Sequence, residues 1–276
     1  MTVLEILQES TKYLTGKNVE SPRLQSELLL SHVLGIPRLQ LYLQFDRPME
    51  EAHLSRLRPL LRSRAQHIPL QHILGTANFC GLEIECSPAA LIPRPETELL
   101  VERVVEELKN IAEPLVYDVG TGTGAIALAI AQKLPAARII AIDISPEALN
   151  LAHKNHLRYP AAKITWQTGD LLTGIKEGGD LIVANLPYLF TTDMETLPDE
   201  VKHDPPLALD GGTDGLDLIR SLIPQAVPLC HTLALEIDPR QADILPPLLK
   251  HHGFAEVKTL SDLQKRPRHV LARSSA

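Results

Sequence analysis

Aromatic residues are scarce in this 276-residue chain: they make up 4% of it, and Trp166 is its one tryptophan. Positive charge is also in deficit, because 27 Lys and Arg stand against 34 Asp and Glu, giving a formal net charge of −7. A nucleic-acid-binding surface needs basic residues to contact phosphates and often aromatic residues to stack on bases. The composition therefore disfavours DNA or RNA as a direct partner.

Long apolar runs are absent as well. No stretch approaches the roughly 18 apolar residues that a membrane-spanning helix needs. The first ten residues carry Glu5 and Glu9 and lack the basic start and apolar core of a secretory signal. We therefore expect a cytoplasmic protein with no membrane partner.

Cysteine is limited to Cys80, Cys86 and Cys230, an odd number without a CxxC pair. Free thiols in a reducing compartment are favoured, and a Cys80–Cys86 disulfide across a hairpin is the alternative. The eleven histidines form no HExxH motif, and their close pairs have no obvious carboxylate companion. No metal site is predicted.

Residues 1–73 have the pattern of a helical domain. Ser21 and Pro22 are typical of a helix N-cap and first position, and Gly35 is placed to end that helix. Its apolar face consists of Leu24, Leu28, Leu29, Val33 and Leu34. A further helix is predicted from near Pro48 toward Gln66, with a kink or break at Pro59.

Four arginines, Arg56, Arg58, Arg62 and Arg64, cluster on this further helix. They form either a solvated helix face or a docking patch for an acidic partner. Residues 1–73 carry a net charge of +2, and the remainder of the chain carries −9. The acidic excess therefore lies wholly outside the helical domain.

A change of pattern follows the helical domain. TANFC and LEIEC flank Gly81 like a short hairpin. Six later segments have the pattern of strands, and helical patterns follow most of them: LVYDVG, RIIAID, KITWQ, DLIVAN, HTLALEID and HVLAR. This alternation predicts an α/β fold with a parallel, doubly wound sheet. The segments Glu256–Leu260 and His269–Arg273 are close enough in sequence to pair antiparallel.

A glycine-rich turn runs from Gly120 to Gly124 between the first of these strands and the helix AIALAIAQKL. With Ala125 it satisfies the GxGxxG/A dinucleotide fingerprint, which alone is a weak signal. Asp118, just before the turn, would repel a pyrophosphate but suits a ligand with a positive end. S-adenosylmethionine offers an ammonium, a sulfonium and a ribose that Asp143, ending the next strand, would bind.

The other residues of the predicted cofactor site are identified by their positions at the ends of the predicted strands. Asp170, after the third strand, would accept a hydrogen bond from the adenine amino group, although a helix N-cap or turn role is the alternative. The predicted cofactor site consists of Asp118, Gly120, Thr121, Gly122, Thr123, Gly124, Asp143 and Asp170, with Asn185 beside it.

Asn185-Leu186-Pro187-Tyr188 follows the fourth strand, which is expected to end beside the glycine turn. This segment resembles the Asn-x-Pro-Tyr motif of methyltransferases that modify planar nitrogens, although the usual motif has proline where Leu186 stands. A planar nitrogen is a poor nucleophile, so two fixed acceptors, the Asn185 side-chain oxygen and the Leu186 carbonyl, would hold its N–H groups. Pro187 favours an extended Leu186, and Tyr188 would pack against the planar group.

Three further segments indicate a particular family of methyltransferases. They are LIPRPETE at residues 91–98, SPRLQSELLLSHVLG at residues 21–35, and DPPLALDGGTDGLDLIR with Asp210 and Asp214. Together they resemble the release-factor glutamine methyltransferases (HemK/PrmC family), in order and over nearly the whole chain. The resemblance does not distinguish separate roles for Arg94, Glu96 and Glu98.

The resemblance implies a helical N-terminal substrate-docking domain (1–73), a β-hairpin linker (74–90) and a Rossmann-like class I methyltransferase domain (91–276). It implies methyl transfer from S-adenosylmethionine to the side-chain nitrogen (N5) of the glutamine in the GGQ motif of class-1 peptide chain release factors. It places Leu171 beside the adenine with Asp170, and Asn185 through Tyr188 around the substrate. A monomer is expected.

Three alternatives remain open. A ribosomal-protein glutamine methyltransferase would share the fold and the Asn-x-Pro-Tyr motif but differ in residues 94–98. An adenine-N6 methyltransferase acting on DNA or RNA would need a basic groove, against the −9 of the second part. A helical adaptor with a vestigial cofactor site would not need Asp118, Asp143 and Asn185 together.

Overall fold

The computed structural model describes residues 1–274; Ala276, where the predicted methyltransferase domain ends, lies outside them. The chain forms two compact units. One consists of Met1–Thr76 together with Pro198–His203, and the other of Ala77–Leu197 and the chain from Asp204 onwards. The division predicted at residue 73 therefore omits the short second segment of the helical unit.

The helical unit contains five helices around an apolar core. They are α1 (Val3–Thr15), α2 (Pro22–Leu34), α3 (Arg38–Leu41), α4 (Glu51–Ala65) and α5 (Leu70–Leu74). Gly35 ends α2 in the left-handed conformation, with φ of 65°, as its position predicted. Ser21 precedes α2 as expected, but its side chain makes no capping hydrogen bond.

A kink or a break was expected at Pro59, and helix α4 continues through it without ending, so a break is excluded. Leu57 is buried in the helical core, and Leu54, Leu60 and Leu61 pack against the same core. Apolar contacts on both sides of the proline thus hold both halves of the helix, and they offset the hydrogen bond that proline cannot donate.

Arg64 differs from the other three arginines of the predicted cluster because its side chain is buried. It is 1% exposed, whereas Arg56, Arg58 and Arg62 are exposed. Its guanidinium donates to Gln25 Oε1 at 3.0 Å, the Ile68 carbonyl at 2.9 Å and Glu200 Oε2 at 2.5 Å. Arg64 therefore does not belong to the exposed arginine cluster, and it anchors the Pro198–His203 segment within its own unit.

The second unit begins with the predicted hairpin and continues as a seven-stranded sheet. The hairpin strands are β1 (Thr76–Phe79) and β2 (Leu82–Glu85), and the sheet strands are β3 (Leu115–Val119), β4 (Arg138–Asp143), β5 (Ile164–Thr168), β6 (Gly179–Ala184), β7 (Cys230–Glu236), β8 (Phe254–Ser261) and β9 (Pro267–Ser274). The helices are α6 (Pro95–Leu108), α7 (Ala125–Lys133), α8 (Pro146–Leu157), α9 (Asp217–Ala226) and α10 (Leu245–His251). Short 3-10 helices span Thr191–Thr196, Val201–His203, Pro206–Ala208 and Pro239–Gln241.

The strand order is β5-β4-β3-β6-β7-β9-β8. Strands β3 to β7 are mutually parallel, and β9 pairs antiparallel with both β7 and β8. The predicted doubly wound sheet and its antiparallel end are confirmed. The order reverses between β3 and β6, which is where ligands bind in sheets of this kind.

All three cysteines are free thiols. Burial raises the pKa of Cys86 to about 12 and that of Cys80 to about 11, so both remain protonated at neutral pH. No helix within residues 1–274 is long and apolar enough to cross a bilayer.

Helix α9 offers a direct test of the packing on one face of the sheet. Leu222 is fully buried in the larger core cluster, whereas its neighbour Ser221 is exposed. We expect Leu222→Ala to lower the free energy of unfolding by about 2–5 kcal/mol, because it removes buried methyl groups and leaves a cavity. Ser221→Ala, the matched surface change, should stay within about 0.5 kcal/mol of wild type. Urea unfolding measures both, and equal effects would contradict this packing.

Candidate active site

The glycine-rich turn between β3 and α7 is fixed by backbone hydrogen bonds to the end of β4. The Ile142 carbonyl accepts from the N–H groups of Gly120 at 2.8 Å and Thr121 at 3.0 Å. Asp143 Oδ2 accepts from the Gly122 N–H at 2.8 Å, and the Gly124 N–H donates to the Thr121 carbonyl. The N–H groups of Gly120, Thr121 and Gly122 are therefore engaged within the protein and are not free to bind a pyrophosphate.

Gly120, Gly122 and Gly124 all have positive φ, at 73°, 56° and 79°. A side chain is strained in this conformation, and space is short as well. A Cβ at Gly124 would lie 2.8 Å from the Trp166 ring and 3.1 Å from the Ala152 methyl group. The close approach of β5 and α8 to the turn thus requires glycine at this position.

Asp118 lies beneath the turn and is fully buried. Its Oδ2 atom accepts from the Thr121 hydroxyl at 2.6 Å and from the Ala127 N–H at 3.1 Å, so it ties the turn to the first turn of α7. Its Oδ1 atom has no hydrogen-bond partner. Burial raises the pKa of Asp118 to about 7, opposed by the two hydrogen bonds.

Asp143 is placed to bind a diol. Its Oδ1 atom accepts from the Ser145 N–H at 2.9 Å and its Oδ2 atom from Gly122, which leaves acceptor capacity on both oxygens. The carboxylate is half-buried and lines a cavity of about 210 Å³ at the carboxyl ends of β3, β4 and β6.

The cavity brings together most of the residues singled out from the sequence. Those that line it are Gly120, Thr121, Gly122, Thr123, Asp143, Asp170, Leu171, Asn185, Leu186 and Pro187. Asp118, Gly124 and Tyr188 lie outside its lining. These three residues hold the cavity wall in place, and direct contact between them and a ligand stays a prediction.

Two neighbouring residues mark one rim of the cavity. Asp170 is exposed, and its carbonyl accepts from the Thr173 N–H in a turn. Leu171 is buried with a positive φ of 53°, a strained conformation for a residue other than glycine. This strained residue lies at the edge of the cavity, where the direction of the backbone determines which groups face a ligand.

Asn185 extends the site beyond the end of β6. The parallel register pairs Val119 with Ala184, so Asn185 lies beside the start of the turn. Its Nδ2 atom donates to Thr97 Oγ1 at 3.0 Å, which leaves Oδ1 as the unengaged end of the amide. Leu186 is buried and lies against the turn, because a Cβ at Gly120 would be 2.8 Å from Leu186 Cδ2.

A buried acid that the sequence analysis did not single out supports Asn185. Glu236, at the end of β7, is 1% exposed. Its carboxylate accepts from the Thr97 hydroxyl at 2.7 Å and the Tyr188 hydroxyl at 3.1 Å. Burial raises its pKa, while Thr97, Arg268 and Tyr188 oppose that shift. An acid ending a buried strand next to β6 was the signal available in the sequence.

The residues of the 91–98 segment have distinct structural partners. Arg94 forms an ion pair with the buried Asp204 at 2.5 Å, and Asp204 also accepts from the Ile92 N–H at 3.3 Å. Glu98 accepts from the Cys80 N–H at 2.8 Å. The Glu96 carbonyl lies 3.1 Å from His269 Nε2. This segment therefore joins the hairpin, α6 and β9 around the cavity.

Comparisons with known proteins agree with this geometry. The PrmC N-terminal domain model matches residues 5–75, and a methyltransferase domain model matches residues 116–203. The release factor glutamine methyltransferase of Deinococcus radiodurans is 40% identical over 99% of both chains. That of Geobacter sulfurreducens is 39% identical over 95% of this chain and 93% of its own. The human MTRF1L release factor glutamine methyltransferase is 32% identical over 99% and 88%.

Solved structures share the fold at low identity. A ribosomal protein L11 methylase from Lactobacillus delbrueckii subsp. bulgaricus aligns with a TM-score of 0.51 and 21% identity, over 70% of this chain and 84% of that one. The human Mettl16 catalytic domain aligns with a TM-score of 0.59 and 17% identity, over 83% and 94%. These likenesses concern the fold alone.

A glycine turn held against β4, an acid with acceptor capacity for a ribose and a cavity at the switch point fit one class of enzyme, the S-adenosylmethionine-dependent class I methyltransferases. The matched methyltransferase domain and the relatives assign this protein to that class. The chain belongs to the release factor glutamine methyltransferase family. The resemblance seen in the sequence is thereby confirmed.

The residues present fit this cofactor. The spare acceptor capacity of Asp143 suits the ribose hydroxyls, and Asp118, when ionised, adds negative potential beneath the turn, where a cation is favoured. Ile144 and Leu171 add apolar surface to the cavity. Within residues 1–274, no group of three His, Cys, Asp or Glu side chains is arranged to hold a metal ion.

The crowding at Gly124 yields a prediction about cofactor affinity. Gly124→Ala should weaken S-adenosylmethionine binding at least about tenfold, or about 1.4 kcal/mol, because the new methyl group collides with Trp166 and displaces the turn. Gly81→Ala is the control: Gly81 also has a positive φ, of 80°, but no atom lies within 4 Å of its Cβ position. Calorimetric titration measures both affinities, and equal losses would contradict the steric explanation.

The burial of Asp118 predicts a pH-dependent stability. Its native pKa is raised from 3.8 to about 7, so between these values the native carboxyl keeps a proton that the unfolded chain has lost. The free energy of unfolding of cofactor-free wild type should therefore fall relative to that of Asp118→Asn as pH rises from 4 to 7. The relative change should reach at most about 4 kcal/mol and then level off. Urea unfolding across this range tests it, and a constant difference would exclude a raised pKa.

Proposed function

We propose that this enzyme transfers a methyl group from S-adenosylmethionine to the side-chain nitrogen (N5) of the glutamine in the GGQ motif of class-1 peptide chain release factors. The observation that carries the proposal is the Asn185 amide, which lies beside the cofactor turn with its Nδ2 engaged by Thr97 and its oxygen unengaged. The names of the relatives, which act on release factors, supply the substrate class.

The chemistry of a primary amide explains the need for acceptors. Its nitrogen lone pair is delocalised into the carbonyl, so the nitrogen is a weak nucleophile. Acceptors that hold its two N–H groups orient the nitrogen and stabilise the positive charge that develops there. In this proposal the Asn185 Oδ1 atom holds one N–H and the Leu186 carbonyl the other. Leucine in place of the more usual proline preserves the contact, because the contact is made through the backbone.

The cofactor and the protein residues have separate roles in the proposed reaction. S-adenosylmethionine, when bound, supplies an electrophilic methyl group. Asp143 and the turn orient the cofactor, Asn185 and Leu186 orient the amide, and Pro187 favours the extended backbone that aims the Leu186 carbonyl. No general base is needed, because an amide nitrogen that has gained a methyl group is strongly acidic and loses its proton to water.

We further propose that the helical unit docks the substrate away from its reactive loop. Residues 1–73 carry a net charge of +2 against −9 for the remainder. Arg56, Arg58 and Arg62 are exposed on α4. Arg58 and Arg62, four residues apart, share one side of the helix and offer positive charge to an acidic surface of a release factor, while Arg58 also pairs with Glu51. The enzyme in this proposal acts as a monomer on a protein substrate, without contacting nucleic acid.

The substrate is tested with labelled S-adenosylmethionine and a purified class-1 release factor. Label should appear on the wild-type factor and not on a factor whose GGQ glutamine is replaced. Label on both factors, or on neither, would contradict the proposal. Parallel reactions with a glutamine-methylated ribosomal protein, and with bare DNA and RNA, distinguish the two other classes of acceptor.

The role of Asn185 gives a kinetic prediction. Asn185→Ala should keep wild-type affinity for the cofactor but lose most turnover, because the amide loses an acceptor aimed at its developing charge. Asn110→Ala, at an exposed position after α6, is the control for amide removal and should match wild type. Turnover of Asn185→Ala within about threefold of wild type, or about 0.7 kcal/mol, would rule out the acceptor role.

A further inference from the structure

The side chains of Tyr188, Glu236 and Thr97 form a continuous path of hydrogen bonds to Asn185, and Thr97 also lines the cavity. The Tyr188 hydroxyl donates to Glu236 Oε1 at 3.1 Å, and the Thr97 hydroxyl donates to Glu236 Oε2 at 2.7 Å. The Thr97 oxygen in turn accepts from Asn185 Nδ2 at 3.0 Å. Thr97 and Glu236 are 4% and 1% exposed, so water does not compete with these bonds.

The direction of this path follows from the chemistry of its end. Burial favours the protonated form of Glu236, whereas the hydroxyls of Thr97 and Tyr188 and the charge of Arg268 favour the ionised form. The ionised carboxylate can only accept hydrogen bonds, so in that form both hydroxyl protons point toward Glu236. The Thr97 hydroxyl has a single O–H, which it donates to Glu236. Its oxygen can therefore only accept a hydrogen bond from Asn185. The group that faces Thr97 must therefore be the NH2 end of the Asn185 amide.

This constraint matters because the two ends of a carboxamide are nearly the same size. Rotating the Asn185 amide by 180° would fit the same space but turn N–H donors toward the substrate. N–H donors on Asn185 would repel the N–H groups of a substrate amide and could not form hydrogen bonds with them. Sterics alone therefore do not set the polarity of Asn185; a hydrogen-bonding partner must do so.

We propose that Thr97 and Glu236 are positioning residues that fix the Asn185 amide with its oxygen toward the substrate. This inference rests on the proposed function, in which Asn185 accepts from the substrate amide. The proposal gives the LIPRPETE segment a role in orienting the substrate-binding amide. Its Thr97 links Glu236, at the end of β7, to Asn185, which follows β6. The same carboxylate holds Tyr188, so Glu236 positions both ends of the Asn185–Tyr188 segment.

The first test reads the amide directly and needs no substrate. The side-chain NH2 signals of Asn185 in ¹⁵N-labelled enzyme are identified by their loss in Asn185→Ala. Their exchange with water should be slow in wild type and in Thr97→Ser, which keeps the hydroxyl. In Thr97→Val, an isosteric change without a hydroxyl, exchange should be at least about tenfold faster, because the buried acceptor is gone. Unchanged exchange in Thr97→Val would overturn the proposal.

The second test is kinetic, with the release factor as acceptor. Thr97→Val should lower kcat about tenfold to a hundredfold, with cofactor affinity and the KM for the release factor unchanged, because geometry and not binding is lost. Thr97→Ser should restore kcat to within about threefold of wild type. Glu236→Met, which removes the acceptor for both hydroxyls, should lower kcat in the same way.

The decisive comparison places Thr97→Val in the Asn185→Ala background. If Thr97 acts through Asn185, the double variant should have the kcat of Asn185→Ala alone. Equal factors in both backgrounds would show that Thr97 acts independently and would overturn the proposal. Absence of turnover by wild type would instead contradict the proposed substrate, and the exchange measurement would still decide the orientation of the amide.

Discussion

The carbonyl of Ile142 and the carboxylate of Asp143 hold the cofactor turn against the end of β4, and the geometry of the site depends on these bonds. They engage the N–H groups of three successive residues, Gly120 to Gly122. Because β3 and β4 are in parallel register, with Val119 beside Ile142, the bonds continue the sheet into the turn. Leu186 packs on the turn from the other side, so the end of β6 is positioned by the same anchor.

This anchor also separates the enzyme from other proteins that use a similar motif. In a dinucleotide-binding turn the backbone N–H groups face the pyrophosphate. Here the N–H groups of Gly120, Thr121 and Gly122 bond to the end of β4, and the buried Asp118 lies beneath the turn with one oxygen unpartnered. The same sequence fingerprint can therefore serve a cation or an anion, according to where its N–H groups point.

The fold was predictable because its strands and helices alternate and because glycine, proline and acidic residues mark their ends. The pairing of β8 with β9 and the meeting of Asn185 with the turn followed from that order. The orientation of Asp118 was not predictable: its place before the turn indicates a ligand contact, whereas its burial depends on how α7 packs. Thr97 and Glu236 are 139 residues apart, and no local pattern relates two residues that meet only in the folded sheet. Likewise, the burial of Arg64 depends on Glu200, which belongs to a distant part of the chain.

The Pro198–His203 segment has a consequence for how the two units attain their folds. The chain passes from one unit to the other three times, and Glu200 reaches the helical unit only after most of the sheet has been synthesised. Until then Arg64 has its bonds to Gln25 and to the Ile68 carbonyl but lacks its acidic partner. The helical unit, although first in sequence, is therefore completed late, and residues 1–76 alone would form a weaker domain than their five helices suggest.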